Sequence, residues 1–127
     1  MKATQTIMIV DDQPATRMLI RSTLQALGYN NVVECTDGEA ALRALAERRA
    51  ALIMSDVNMP KLDGIGLLRA VRANPDLQNI PFIMLTGRGE AAIVKEAAQI
   101  GISGFLVKPF AMGPLKQKLE ATIGKPN

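Results

Sequence analysis

The sequence predicts an α/β fold with a parallel sheet wound on both faces by helices. Three observations carry this. Short apolar runs alternate strictly with stretches of helical spacing, five of each. The runs hold almost no polar residue, as strands buried on both faces do. The chain has 127 residues, 48% hydrophobic and 21% charged, a composition that buries a core within one domain without staples. The expected unit is 1–127, with its core from about 6 to 123.

Ile7 to Val10 is a buried strand and leads at once into Asp11-Asp12. Gln13-Pro14 opens a helix, with proline at its first turn. Met18, Leu19, Leu24 and Leu27 mark its apolar spacing, and Gly28 ends it. Asn30-Asn31 is a turn, and Val32 to Cys35 is the second strand. Asp37-Gly38-Glu39 opens an alanine- and leucine-rich helix that ends near Arg48-Arg49.

Ala51 to Ser55 is the third strand, which runs into Asp56. The Met59-Pro60 that follows is a poor continuation of a central strand. Asp63 to Arg72 is the third helix, with Ile65, Leu68 and Val71 at helical spacing. Pro81 to Leu85 is the fourth strand and ends on Thr86. A Gly87-Arg88-Gly89 loop leads to a helix from Glu90 to Ile100. Gly104 to Val107 is the fifth strand and ends on Lys108-Pro109-Phe110. A last helix spans Met112 to Ile123. Five strands in this alternation predict the flavodoxin-like (βα)5 order 2-1-3-4-5.

That order gives the strand ends a common address. Ligands of open α/β sheets sit beyond the carboxyl ends of the strands. Asp11-Asp12, Asp56, Thr86 and Lys108 all fall there, on neighbouring strands. Taken singly, each has an ordinary use: a strand-end aspartate caps the next helix, a threonine makes a turn, a lysine is solvated. Their coincidence on one rim argues for a site. Three clustered carboxylates repel one another unless neutralised. Lys108 supplies one positive charge, and a divalent cation would supply the rest. With no histidine and one cysteine in the chain, an all-oxygen donor set favours Mg2+, or Mn2+. A cation, a lysine and a hydroxyl around a carboxylate make a phosphoryl site, with the carboxylate as nucleophile.

The lack of histidine also excludes a histidine base and the usual zinc sites. Cys35 lies in a buried strand and reads as structural. The net charge is +3, and outside the rim residues 14 basic groups face 9 acidic ones. Aromatics at 3% with no tryptophan do not support stacking on nucleic-acid bases. There is no run of membrane-spanning length and no signal-peptide core, so a cytoplasmic location is expected.

Over about Thr6 to Ile123 the sequence resembles the response-regulator receiver domains. The resemblance rests on Asp11-Asp12, Asp56-x-Asn58-Met59-Pro60, Asp63-Gly64, Thr86 and Lys108-Pro109-Phe110. It is nearest to stand-alone chemotaxis regulators of the CheY type, through Leu27 to Val32, Asp56 to Pro60 and Ile102 to Phe110. The resemblance implies that Asp56 is the phospho-acceptor. Asp12 and Asp56 would bind Mg2+ directly with the main-chain carbonyl of Asn58, and Asp11 mainly through water. Thr86 and Lys108 would bind the phosphoryl group, the Lys108-Pro109 bond would be cis, and Phe105 would follow Thr86 inward on phosphorylation.

The implied donor is a histidine kinase or histidine phosphotransfer protein. The implied target is a flagellar motor switch protein or another protein, with an auxiliary phosphatase as a further partner. The chain ends after its fifth helix, so no DNA-binding or enzymatic effector is expected. The only chemistry implied is self-phosphorylation and self-dephosphorylation at Asp56. Val57 departs from the tryptophan of familiar chemotaxis members, Phe105 from the frequent tyrosine, and Arg88 from a familiar acidic residue. Asn58 and Arg88 stand where the family tunes phosphoryl lifetime. A single-domain phosphorelay intermediate or phosphate sink is the alternative output.

Arg17 and Arg21, four apart and unbalanced by acids, suggest a face for an acidic partner or an anionic messenger, together with Arg43, Arg48, Arg49, Lys116 and Lys118. A Mg2+-dependent phosphatase would need an acid where Asn58 stands. A flavin-binding protein would not place two aspartates in its phosphate loop.

Overall fold

The computed structural model describes residues 5–87, 90–108 and 110–125. Its elements run β1 (Ile7–Val10), α1 (Pro14–Ala26), β2 (Val32–Cys35), α2 (Gly38–Glu47), β3 (Leu52–Asp56), α3 (Gly64–Ala73), β4 (Phe82–Thr86), α4 (Ala91–Ile100), β5 (Gly104–Val107) and α5 (Met112–Ile123). The five strands are parallel, in the order β2-β1-β3-β4-β5. The expected fold class and strand order are therefore observed. β3 and β4 each sit one residue later than the sequence reading, so Asp56 and Thr86 are the last residues of their strands rather than the first beyond them.

Strand residues alternate between two apolar layers, as the pleat requires. Met8, Val10, Ile53, Phe82 and Met84 face α2, α3 and α4, where Ala41, Leu45, Leu67, Leu68, Val71 and Ala97 meet them. Ile7, Ile9, Leu52, Met54, Ile83 and Leu85 face α1 and α5, meeting Ile20, Leu24, Leu115 and Leu119. Burying one such side chain contributes about 1.5–3 kcal/mol, so the central strands anchor the rim that they carry.

Two expectations about burial fail, for a common reason. Met18 and Leu19 are 68% and 64% exposed; of the expected set Leu24 is buried, and Ile20 joins it inside. The sheet is also not covered on both faces at its β5 edge. Phe105 and Val107 are 41% and 45% exposed, and only Leu106 is buried. Apolar character in these segments marks surface that the protein itself does not cover. On α3, Ile65 is half-buried, and Leu67 takes the fully buried position beside Leu68.

Helix starts and close approaches shape the rim. The carboxylates of Asp37 and Asp63 accept from the Ala40 and Gly66 N–H groups and cap α2 and α3. Gly64 donates its N–H to the Val57 carbonyl at 2.9 Å. A Cβ at Gly64 would lie 2.3 Å from the Asp56 carbonyl oxygen, so only glycine lets α3 start this close to the end of β3. No helix among the described residues is long and apolar enough to cross a membrane.

Candidate functional site

The strand order brings Asp11, Asp12, Asp56, Thr86 and Lys108 to one rim. Asp11, Asp12 and Asp56 each offer a carboxylate oxygen, and these oxygens lie within 4.8 Å of one another. The Lys108 ammonium donates to Asp56 Oδ1 at 2.9 Å and lies 3.8 Å from Asp11 Oδ2. The Asp56 side chain is 14% exposed. It is held among charges but remains open to a reagent.

Asp11 is the buried member. Its main-chain N–H donates to the Cys35 carbonyl, which fixes the end of β1 against β2. Its Oδ1 accepts from the Gln13 N–H at 2.9 Å. The helix-cap use weighed for these aspartates is not what Asp11 does. The N-cap of α1 is Gln13, which makes no side-chain cap bond. Asp11 Oδ2 is buried, and among the described residues it has no hydrogen-bond donor. Burial raises the Asp11 pKa. The Gln13 N–H opposes that rise, the Asp56 charge adds to it, Lys108 lowers it and Asp12 adds a little more. A buried carboxylate oxygen without a donor is costly. A hard cation is a ligand suited to remove that cost, and the all-oxygen donor set fits one. Asp12 is exposed and lines an open cleft of about 460 Å3 with Asn58, Met59, Pro60 and Asp63.

Thr86 is buried, and its hydroxyl donates to the Leu106 carbonyl at a long 3.4 Å. The Lys108 N–H donates to the Thr86 carbonyl at 2.6 Å, which ties the end of β5 to the end of β4. Phe105 lies beside a groove of about 300 Å3 with Thr86, Gly87, Glu90, Ala91, Val94 and Val107. Arg88 and the Lys108-Pro109 bond fall outside the described residues.

The unbalanced basic pair of the sequence reading is not observed. Arg17 Nε bonds Glu34 Oε1 at 3.1 Å, and Arg21 Nη1 bonds Glu34 Oε2 at 2.5 Å. The two arginines hold the Glu34 carboxyl below its usual range: the Arg21 bond is the largest effect, burial opposes it, and the Arg17 bond adds to the lowering. Arg17 Nη1 also donates to the Asp11 carbonyl at 2.7 Å. Arg17 thus links β2 to the acidic loop. The signal for this was Glu34, the one charged residue in the second apolar run.

Sequence reasoning also missed Glu90. Its Oε1 accepts from the Gly87 N–H, and its Oε2 accepts from Asn58 Nδ2 at 3.4 Å.

The fold and this acidic rim define a small parallel α/β domain with an acidic pocket at its switch point. The family model for the response regulator receiver domain matches residues 7–120, and the chain belongs to that family. It is 42% identical over 118 residues to a probable chemotaxis protein CheY of Rhizobium etli, covering 93% of this chain and 92% of the relative. It is 40% identical over 121 residues to the chemotaxis protein CheY of Pseudomonas aeruginosa, covering 95% and 98%. Among solved structures it resembles the chemotaxis response regulator CheY4 of Vibrio cholerae. The TM-score is 0.85 and the identity 34%, over 94% of this chain and 98% of that one. It also resembles the receiver domain of a Pseudomonas aeruginosa sensor histidine kinase that has a magnesium ion coordinated in its active-site cleft. There the TM-score is 0.85 and the identity 32%, over 95% and 98%. This chain is accordingly the receiver domain of a CheY-like response regulator.

Proposed function

We propose that the chain is a cytoplasmic regulator that accepts a phosphoryl group on Asp56 from a phosphohistidine of a histidine kinase or phosphotransfer protein. The observation that carries this is the Lys108–Asp56 contact at 2.9 Å inside a three-carboxylate cluster that holds an orphaned buried oxygen. An Asp56 oxygen attacks phosphorus, the P–N bond breaks, and its electron pair stays on the imidazole nitrogen. The product is a mixed anhydride, which water later cleaves to free phosphate and carboxylate. The chain therefore acts only on itself.

Asp12, Asp56 and the Asn58 main-chain carbonyl would hold Mg2+, or Mn2+, with Asp11 contributing through water. A cation there supplies positive charge opposite the phosphoryl oxygens. Lys108 supplies the protein's own share. The Thr86 hydroxyl leaves its long bond to Leu106 and turns to the new oxygens. Phe105, half exposed beside Thr86, moves into the vacated space. The surface of α4, β5 and α5 changes shape and is read by a protein partner. Asn58 and Arg88 set how long the phosphoryl group survives.

A flagellar motor switch protein is the favoured target, because the curated relatives named above are chemotaxis proteins. A phosphorelay role is the second reading, supported by structural neighbours that are receiver domains of histidine kinases. Acetyl phosphate with Mg2+ should give a labile adduct that is lost in Asp56→Asn and under EDTA. An undiminished adduct in that variant would remove the acceptor assignment. A pull-down with and without beryllofluoride then separates the outputs. Activation-dependent recovery of flagellar switch proteins supports the first, and recovery of a phosphotransfer protein alone supports the second.

A further inference from the structure

Glu90 sits at the N-cap of α4, yet its side chain makes no cap bond to that helix. It turns back to the rim instead. One oxygen accepts from the Gly87 N–H, the first main-chain donor beyond Thr86. The other accepts from the Asn58 amide, two residues beyond Asp56, at 3.4 Å. The register of the sheet explains why one carboxylate reaches both. Asp56 pairs with Leu85, and residues 58 and 87 each follow two positions on, in the loops that leave these neighbouring strands.

The Lys108 ammonium already touches Asp56, and three further donors stand at the strand ends beside it: the Thr86 hydroxyl, the Gly87 N–H next to Thr86 and the Asn58 amide two residues beyond Asp56. Glu90 takes the last two. A phosphoryl group carries close to two negative charges and three acceptor oxygens. It needs the same kind of donors, and it repels a carboxylate held beside them.

We infer that Glu90 is an internal competitor for the phosphoryl group, a carboxylate that occupies the Gly87 and Asn58 donors until Asp56 is modified. The inference rests on the reading of Asp56 as phospho-acceptor. It adds a connection from Asp56 to the start of α4 that does not pass through Thr86 and Phe105. When the phosphoryl group takes the Gly87 N–H, Glu90 is released and the first turn of α4 loses its tie to the β3–α3 loop.

The test compares wild type, Glu90→Gln and Glu90→Ala in the full chain. Beryllofluoride uptake with Mg2+ is followed by 19F NMR, and stability by urea denaturation. Glu90→Gln keeps an acceptor oxygen and removes the charge, whereas Glu90→Ala removes both. Competition predicts half-saturation at about three- to tenfold lower beryllofluoride in both variants, the scale of one ordinary net hydrogen bond. It also predicts lower stability in Glu90→Ala, because the Gly87 N–H then loses its acceptor.

These opposite signs exclude a purely structural role, in which weaker folding and weaker uptake go together. Asp56-dependent uptake with unchanged or higher half-saturation in Glu90→Gln overturns the competitor alone. Uptake that persists in Asp56→Asn overturns the acceptor assignment, and the competitor with it.

Discussion

Gly64→Ala is the sharpest test of how the fold positions Asp56. The added Cβ would stand 2.3 Å from the Asp56 carbonyl oxygen, 3.0 Å from Val57 Cα and 3.1 Å from Met84 Sδ. A relaxed carbon–oxygen contact is about 3.3–3.6 Å, so roughly 1 Å must be found. The obstacle is backbone, and no rotamer change removes it. Either the start of α3 lifts away, weakening the Gly64–Val57 bond, or the Asp56 peptide rotates. Overpacking costs about 1–3 kcal/mol, and a weakened hydrogen bond about 0.5–1.5 kcal/mol. The gain in helix propensity, at most about 1 kcal/mol, offsets part of this. A net loss of about 2 kcal/mol leaves a domain of ordinary stability folded.

The larger effect falls on the reaction, where a displacement of about 1 Å can slow chemistry on the order of 100-fold. Urea denaturation and the acetyl phosphate rate measure the two. Gly66→Ala is the control. Its Cβ meets the end of the Leu62 side chain at 2.5 Å, which can swing aside, so the rate should stay near wild type. A Gly64→Ala protein with unchanged stability and rate would refute the reasoning.

Two further substitutions probe the acidic rim and its support. Asp11→Asn removes a buried charge whose Oδ2 has no donor among the described residues. In EDTA it should raise stability by about 1–3 kcal/mol, while abolishing the stabilisation that added Mg2+ gives wild type. Urea denaturation with and without Mg2+ reads both, and lower stability in EDTA would count against a strained carboxylate. Glu34 has its pKa lowered from 4.5 by Arg21 first and Arg17 after it. A depressed carboxyl stabilises the fold above its unfolded pKa, and that contribution fades as pH falls through the lower folded value. Glu34→Gln should therefore be less stable at neutral pH and lose less of its stability below pH of about 4.5. A denaturation series from neutral to acid pH shows this, and parallel curves for the two proteins would contradict it.

The rim was legible because parallel strands of one sheet point their carboxyl ends the same way. Once five apolar runs were counted, Asp11, Asp12, Asp56, Thr86 and Lys108 had a common address. Side chains whose role depends on a partner from another element were not legible. Glu34 reads alone as a charge on an edge strand. It becomes the partner of Arg17 and Arg21 only when β2 lies beside β1 in the register Val10 with Cys35. Glu90 reads as a helix start and proves to reach back across two loops. On α1 the set Ile20, Leu24 and Leu27 follows helical spacing as well as the set with Met18 and Leu19 does. Composition cannot choose between them, because an exposed apolar side chain leaves the same trace as a buried one.

That ambiguity is most informative at β5, where exposed Phe105 and Val107 flank buried Leu106. The uncovered edge of the sheet adjoins the acidic rim, and Thr86 is the joint between them. Its side chain is buried, yet among the described residues its hydroxyl has only the 3.4 Å contact to Leu106, at the weak end of hydrogen-bond geometry. Moving it forfeits little, well under the 0.5–1.5 kcal/mol of an ordinary bond by rough reckoning. A phosphoryl group offers a charge-assisted bond in exchange. Thr86→Val keeps the volume and removes the hydroxyl. It should change stability by less than about 1 kcal/mol and leave Asp56 reactive through Lys108. Activation-dependent partner binding should be lost, because nothing then draws residue 86 inward and makes room for Phe105. Titrating the captured partner against the beryllofluoride form of each protein decides the matter. Full activation-dependent binding by Thr86→Val would show that the signal reaches the edge of the sheet by a route other than this hydroxyl.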